Sequence, residues 1–241
     1  MIILPKTSFT QTAVELVKQA DQLDSELKEP EALQKFLAAK KIKPNDEYIL
    51  WNISFLYSKI GFRFTDDDKQ EEYFLLAEDY AKRAVKVNPN NPECNYVMGV
   101  AMGRIAEIAS PGDRVAAARK IKKYAEITLK LDPKHDLGWH LLAKWHYRAA
   151  NLSWPEEIVA DLFFGGLGEA SNEESVRAFK KAIELDPYEV LYYLDYAIEL
   201  EEIDKEEEAI EILKKGLKLN PRVVDDPMYL QQCKELLEDL E

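Results

Sequence analysis

Glycine is scarce in this chain, 9 of 241 residues, beside 2 cysteines and 3 histidines. With so few glycines and no convincing alternating apolar–polar run, a β-rich fold is not expected. Cys94 and Cys233 stand far apart with no C-x-x-C spacing. That rules out a disulfide framework and reads as two small buried thiols in a reduced protein. No apolar run approaches the ~18–20 residues that span a bilayer, so no transmembrane segment is expected. No secretory leader is visible either: "MIILPKTSFTQTA" opens with a short apolar run broken by Pro5. The chain reads as soluble and cytoplasmic by default, or exported if a leader has been removed.

A basic excess is lacking too. The net charge is −13, which excludes nucleic acid as a partner because phosphate binding needs a basic face. The charge is uneven, however: Arg104–Arg148 holds ten basic and five acidic residues. Solvated helix faces account for such a run, and a dock for an anionic group is the sharper alternative.

Catalytic signatures are missing as well. There is no G-x-S-x-G and no H-E-x-x-H, and "GGLG" at Gly165–Gly168 follows a helix rather than a strand. The acids of "TDDDKQEE" suit a helix N-terminus through the macrodipole. All three histidines and three of the four tryptophans fall within "LDPKHDLGWHLLAKWHYRAANLSW", Leu131–Trp154. His140 and His146 are not spaced to share a helical face, so no metal site is expected. His146 reads as a packed, hydrogen-bonded core residue, His135 as solvated, and His140 as facing a groove. The chain therefore reads as a non-enzyme with no cofactor.

What the sequence does have is recurrence. Five segments, "AKKIKP", "VKVNP", "LKLDP", "IELDP" and "LKLNP", close at Pro44, Pro89, Pro133, Pro187 and Pro221. Counting back from each proline finds small residues where paired helices must approach: Ala20 and Ala32, Ser54 and Ala77, Gly99, Ala143 and Ser175, Ala197 and Ala209. The pattern is that of the tetratricopeptide repeat, whose period is about 34 residues. An all-α, right-handed superhelix of helix-turn-helix units follows, at about 13–46, 47–91, 92–135, 136–189 and 190–223, with a capping helix at 226–240. The intervals between the prolines are mostly longer than the repeat. The excess falls between helices A and B of units two to four, where Thr65 and the "SPGD" before Arg114 look like N-caps of lengthened B helices. In unit four, Ser153-Trp154-Pro155 opens a short helix with Ile158, Val159, Leu162, Phe163 and Phe164 on its apolar face.

"GWHLLAKWHYRAANLSW", with Trp139, Leu142, Trp145, Tyr147 and Leu152–Trp154, resembles the repeat domain of the regulator of microtubule dynamics family. The resemblance covers roughly residues 91–219. It implies a helical repeat domain whose concave cavity, in a member tethering mitochondria to the endoplasmic reticulum, holds phospholipid. Neither the N-terminal membrane anchor nor the acidic-aromatic motif of that tether is read in this sequence.

Groove positions in such repeats are usually polar. Here they are Tyr48, Trp51, Phe55 and Ser58, then Glu93, Tyr96, Val100 and Gly103, then Leu137, His140, Lys144 and Tyr147, then Leu191, Leu194, Ile198 and Glu201. So large an apolar face needs a cover. Folded-back inserts, an apolar ligand or a partner segment would each serve. The expected occupant is a phospholipid or fatty-acid-like molecule, its anionic head met by Arg104, Lys144 and Arg148; the other reading of these cations is ordinary ion pairing with Glu107 or Asp136. The alternative is a scaffold that takes a partner's peptide or helix.

Overall fold

The computed structural model describes residues 11–153, 157, 160 and 167–241. Among them are eleven α-helices and no strand. Five antiparallel pairs follow in order: α1 (Ala13–Ser25) with α2 (Glu29–Ile42), α3 (Glu47–Phe62) with α4 (Asp67–Val87), α5 (Pro92–Ile108) with α6 (Pro111–Leu131), α7 (Asp136–Ala150) with α8 (Asn172–Leu185), and α9 (Val190–Glu202) with α10 (Glu206–Gly216). Helix α11 (Asp226–Leu240) packs on the last pair. Most of the insert helix expected around Trp154–Phe164 lies outside the described residues.

Most of the described helices begin where a side chain satisfies an orphan amide. Thr12 and Glu15 form a reciprocal capping box, and Asp46, Asn91, Ser110 and Ser171 each accept a hydrogen bond from a first-turn amide. The cap of α4 is Asp66 and not Thr65: the Asp66 carboxylate accepts from the Lys69 amide at 2.9 Å. A carboxylate makes the stronger, charge-assisted cap.

The recurrent prolines set the junctions. Helices α2, α4, α6 and α8 each stop two residues before Pro44, Pro89, Pro133 or Pro187, and the next helix starts three residues after it. The proline carbonyl is then recovered from within the next helix. Asn95 Nδ2, Trp139 Nε1 and Tyr193 Oη donate to the carbonyls of Pro89, Pro133 and Pro187 at 2.9, 3.0 and 2.9 Å. The last pair departs from the rule, because a tight turn at Leu217–Leu219 follows α10 before Pro221 is reached.

Close approach within the pairs rests on the small residues. Ala20, Ala32, Ser54, Ala77, Ala143, Ser175, Ala197 and Ala209 are all fully buried. Unit three differs. Ile121, at the corresponding place in α6, is only half-buried, while a Cβ on Gly99 would stand 2.5 Å from Leu141 Cδ2 of the next unit. The tight contact here has moved from within the pair to the stack between units. In units two and three the extra residues lengthen helices: α4 and α6 each run 21 residues against 14 in α2 and α8.

One contact joins distant parts of the chain. Arg63, following α3, grips Asp225 with Nε to Oδ1 at 2.6 Å and Nη2 to Oδ2 at 2.9 Å. Its Nη1 donates to Glu29 Oε2 at 2.5 Å, and Lys59 pairs with the same carboxylate. Phe62 packs beside this clasp into the core of the last two units. The coil is thus closed between its second unit and its cap.

A buried acid sits in the seam of units four and five. Ser175 Oγ–H stands within reach of both the Ala143 carbonyl, at 2.8 Å, and Glu199 Oε2, and its one hydrogen serves either acceptor. Burial raises Glu199 to about 7, outweighing the opposing Ser175 bond and the Lys205 charge.

Two outcomes follow from these features. Replacing Arg63 by Ala leaves Glu29, 1% exposed, with only Lys59. The cost expected is about 2–3 kcal/mol, read by urea denaturation, with a larger radius of gyration in small-angle scattering. For Glu199 the folded-state value lies above the ordinary one. Its contribution is therefore full below about pH 4.5 and is lost as pH rises through about 7. The maximum effect is about 3 kcal/mol. Denaturation midpoints at pH 5 and pH 8 should differ less in Glu199→Gln than in the parent chain.

Candidate functional site

Helices α3, α5, α7 and α9 touch their counterparts in adjacent units, α3 against α5, α5 against α7 and α7 against α9, whereas α4, α6, α8 and α10 pack mainly on their own partners and the next unit. The first set therefore lies on the inside of the curvature. All the groove positions named from the sequence stand on it or just beyond its helix ends.

At the N-terminal end, Tyr48 is 41% exposed and its hydroxyl donates to Asp21 Oδ1 at 3.0 Å. Its ring meets the half-buried Trp51 edge-on at 5.2 Å. Phe55, also half-buried, lies 5.9 Å from Tyr96, with Lys59 Nζ over its ring at 5.3 Å. Val100, Tyr147, Leu191 and Ile198 are half-buried, while Tyr96 and Leu194 are buried. Leu191, Leu194 and Ile198 belong to the core of the last units.

Two of the three cations are engaged. Arg104 pairs with Glu107 at 2.9 Å and lies over the Phe62 ring at 4.2 Å. Lys144 Nζ donates to Asp195 Oδ2 at 2.9 Å, and His140 Nε2 meets the same oxygen at 2.8 Å. Burial pushes Asp195 up, but the Lys144 charge and the His140 bond outweigh it and hold the carboxyl well below its ordinary range. Burial also pushes His140 down, more strongly than the Asp195 bond raises it, so its ring is neutral and donates Nε2–H. That ring stacks on Tyr192 at 4.9 Å, and the Tyr192 hydroxyl donates to Asp136 Oδ2 at 2.7 Å. Arg148 is exposed at the end of α7.

The other two histidines depart from expectation. His135 is not solvated: it is 6% exposed and caps α7, its Nδ1 accepting from the Gly138 amide at 2.9 Å. A backbone amide at Nδ1 fixes the hydrogen on Nε2, and that atom is buried without a hydrogen-bond partner, 3.4 Å from Glu93 Oε1. His146 is only half-buried, and its Nδ1 has no partner. It packs by ring contact with Trp145 at 4.9 Å rather than by hydrogen bonding.

Sequence reading missed Glu189 and Asp195 on this face, and named Asp136 only as an ion-pair partner for the cations. Asp136, Glu189 and Asp195 sit at starts or mid-turns of inner helices, where an acid ordinarily signals a macrodipole partner. Spacing alone does not link Asp195 to His140, 55 residues away. Among the described residues no His, Cys, Asp and Glu group has the geometry to hold a metal ion, and no helix is long and apolar enough to cross a membrane.

The fold has solved counterparts. A thermophilic TPR protein of Thermus thermophilus superposes with a TM-score of 0.69 at 14% identity, covering 93% of this chain and 100% of that one. MamA from Desulfovibrio magneticus RS-1 gives 0.51 at 16% identity, over 88% and 97% of the two chains. By sequence, regulator of microtubule dynamics protein 3 of Bos taurus is 26% identical over 224 residues, 92% of this chain and 48% of its own length. Protein 1 of Mus musculus is 28% identical over 175 residues, 72% of this chain and 56% of its own. The chain thus spans about half the length of these relatives. The family profile described as regulator of microtubule dynamics protein 1-3 matches residues 16–241. A tetratricopeptide-like stack aligned over nearly its whole length with that profile is a member of it: this chain belongs to the regulator of microtubule dynamics family.

Proposed function

We propose that the chain is a non-catalytic interaction scaffold whose inner face takes a segment of a partner protein. The observation that carries this reading is the row of half-buried apolar side chains, Trp51, Phe55, Val100, Leu191 and Ile198, on helices that form the inside of the coil. Half-buried aromatic and aliphatic groups beside hydrogen-bonding side chains are what a docked peptide or helix uses.

The lipid reading draws less support. Of the three cations read for an anionic head group, Arg104 and Lys144 are held by Glu107 and Asp195, and Arg148 stands exposed at the end of α7. Acyl chains call for an apolar hollow, yet Tyr96 and Leu194 are already covered, at 6% and 3% exposure. Microtubule dynamics appears in the names of the relatives, and a role there for this chain would be one use of such a scaffold.

A photoreactive amino acid placed at position 51 or 198 should crosslink a defined partner peptide, whereas one on the outer face at Leu75 should not. Trp51→Glu should abolish the inner-face crosslink and leave the helical circular dichroism unchanged. Stoichiometric lipid in an organic extract of the purified protein, with no crosslink from position 51, would reverse the reading in favour of lipid.

A further inference from the structure

Exposed apolar side chains recur where one unit passes to the next. Ile42, Val87 and Leu131 are the last residues of α2, α4 and α6, one at each of the first three proline junctions. They are 50%, 39% and 38% exposed. The junctions adjoin one another: Arg83 Nη2 donates to the Pro44 carbonyl at 3.2 Å, and Thr128 Oγ1 lies 3.4 Å from the Pro92 carbonyl. The three aliphatic side chains therefore form a row along one edge of the stack. A single exposed aliphatic residue is ordinary, whereas the same position exposed in three successive units marks a surface.

Charge along this edge is one-sided. The exposed charged residues of the three junctions are Lys41, Lys43, Lys86, Lys130 and Lys134. The acids there, Asp46, Glu47, Glu93, Asp132 and Asp136, are half-buried; Asp46 caps α3 and Asp136 accepts the Tyr192 hydroxyl. Lys43 reaches Asp46 at 3.7 Å, while Lys41, Lys86, Lys130 and Lys134 form no salt bridge among the described residues. The opposite edge, where α4 and α6 begin, exposes Asp66, Asp67, Asp68, Glu71, Glu72 and Asp113 against Lys69 and Arg114. A chain of net charge −13 is thus polarised between its two edges. The basic stretch ends at the fourth junction, where Tyr188 is exposed beside Glu184.

The turns present side chains and little free backbone. The carbonyls of Pro44, Pro89 and Pro133 accept from Arg83, Asn95 and Trp139. The amides of Asn90 and Lys134 donate to the Asn88 and Asp132 side chains. An extended peptide draws on such backbone groups. A bilayer surface asks only for cations at its head groups and apolar side chains that enter between them.

We propose that this edge docks the chain on an anionic lipid bilayer, the five lysines meeting the head groups while Ile42, Val87 and Leu131 enter the interface. Repulsion of the acidic opposite edge sets which way the molecule faces. The edge is built from the ends of α2, α4 and α6 and not from the inner-face row, so this proposal and the scaffold reading stand or fall separately.

The test mixes the full chain with sedimentable vesicles of phosphatidylcholine alone, or with phosphatidylserine as about one-third of the lipid. The anionic vesicles should carry the protein down and the neutral ones should not. A lysine beside an anionic surface contributes about fivefold, so Lys86→Gln with Lys130→Gln should weaken binding about twentyfold. Val87→Ser with Leu131→Ser should weaken it about tenfold through lost apolar contact. Lys120→Gln with Lys123→Gln, the same charge change in the middle of α6, should alter it less than about twofold. Failure to sediment with the anionic vesicles would overturn the proposal, as would equal weakening by both lysine pairs or equal binding to neutral vesicles. Undiminished binding in the Lys86 and Lys130 pair, with loss in Trp51→Glu, would overturn it in favour of lipid held at the inner face. Tighter binding of a labelled glutamate–leucine decapeptide than of the vesicles, weakened by the same lysine pair, would assign the edge to an acidic protein segment instead.

Discussion

Close approach between paired helices is the constraint on which everything else in this chain depends. A single helix pair has too little apolar surface to stand alone, so each must press against its neighbours to form a continuous core. Side chains no larger than alanine or serine at the seams permit that pressing, and every residue of this kind in units one, two, four and five is fully buried. In unit three the seam holds Ile121 instead, and Gly99 gives way to Leu141 of the next unit. The stack is kept in register there by an exchange of small for large across a different interface.

The junctions were legible in the sequence because they are local. A proline two residues past a helix end carries its own geometric consequence, and the return bonds from Asn95, Trp139 and Tyr193 lie six residues on from their prolines. The small seam residues could be read because they recur. The shift from Thr65 to Asp66 at the start of α4 is a choice between adjacent capping residues, within the ordinary uncertainty of a helix boundary. Inner-face positions were legible in place but not in partnership. His140, Lys144 and Arg104 were read as facing a groove; the three-residue spacing of Arg104 and Glu107 allowed their pairing, but no spacing indicated that Asp195 holds Lys144. His135 looked like a solvated turn residue because a histidine cap lacks the familiar signature of Ser, Thr, Asp or Asn.

The electrostatics of the inner face depart from the expectation drawn from composition. Ten basic residues between Arg104 and Arg148 suggested a positive site. Folding distributes them: α6 carries Arg119, Lys120, Lys123 and Lys130 at exposed positions, while Lys144 is held by Asp195 of the next unit. A linear charge count averages over both faces of every helix, and only the stacking separates them.

The bond between Arg63 and Asp225 has a bearing on how the molecule comes apart. An open array of repeats frays from its ends, one unit after another, because each unit leans only on the next. Here the cap is tied to the second unit, so the terminal helices cannot peel away without exposing the carboxylate of Glu29. A stack tied in this way is expected to lose its structure more cooperatively than an open array.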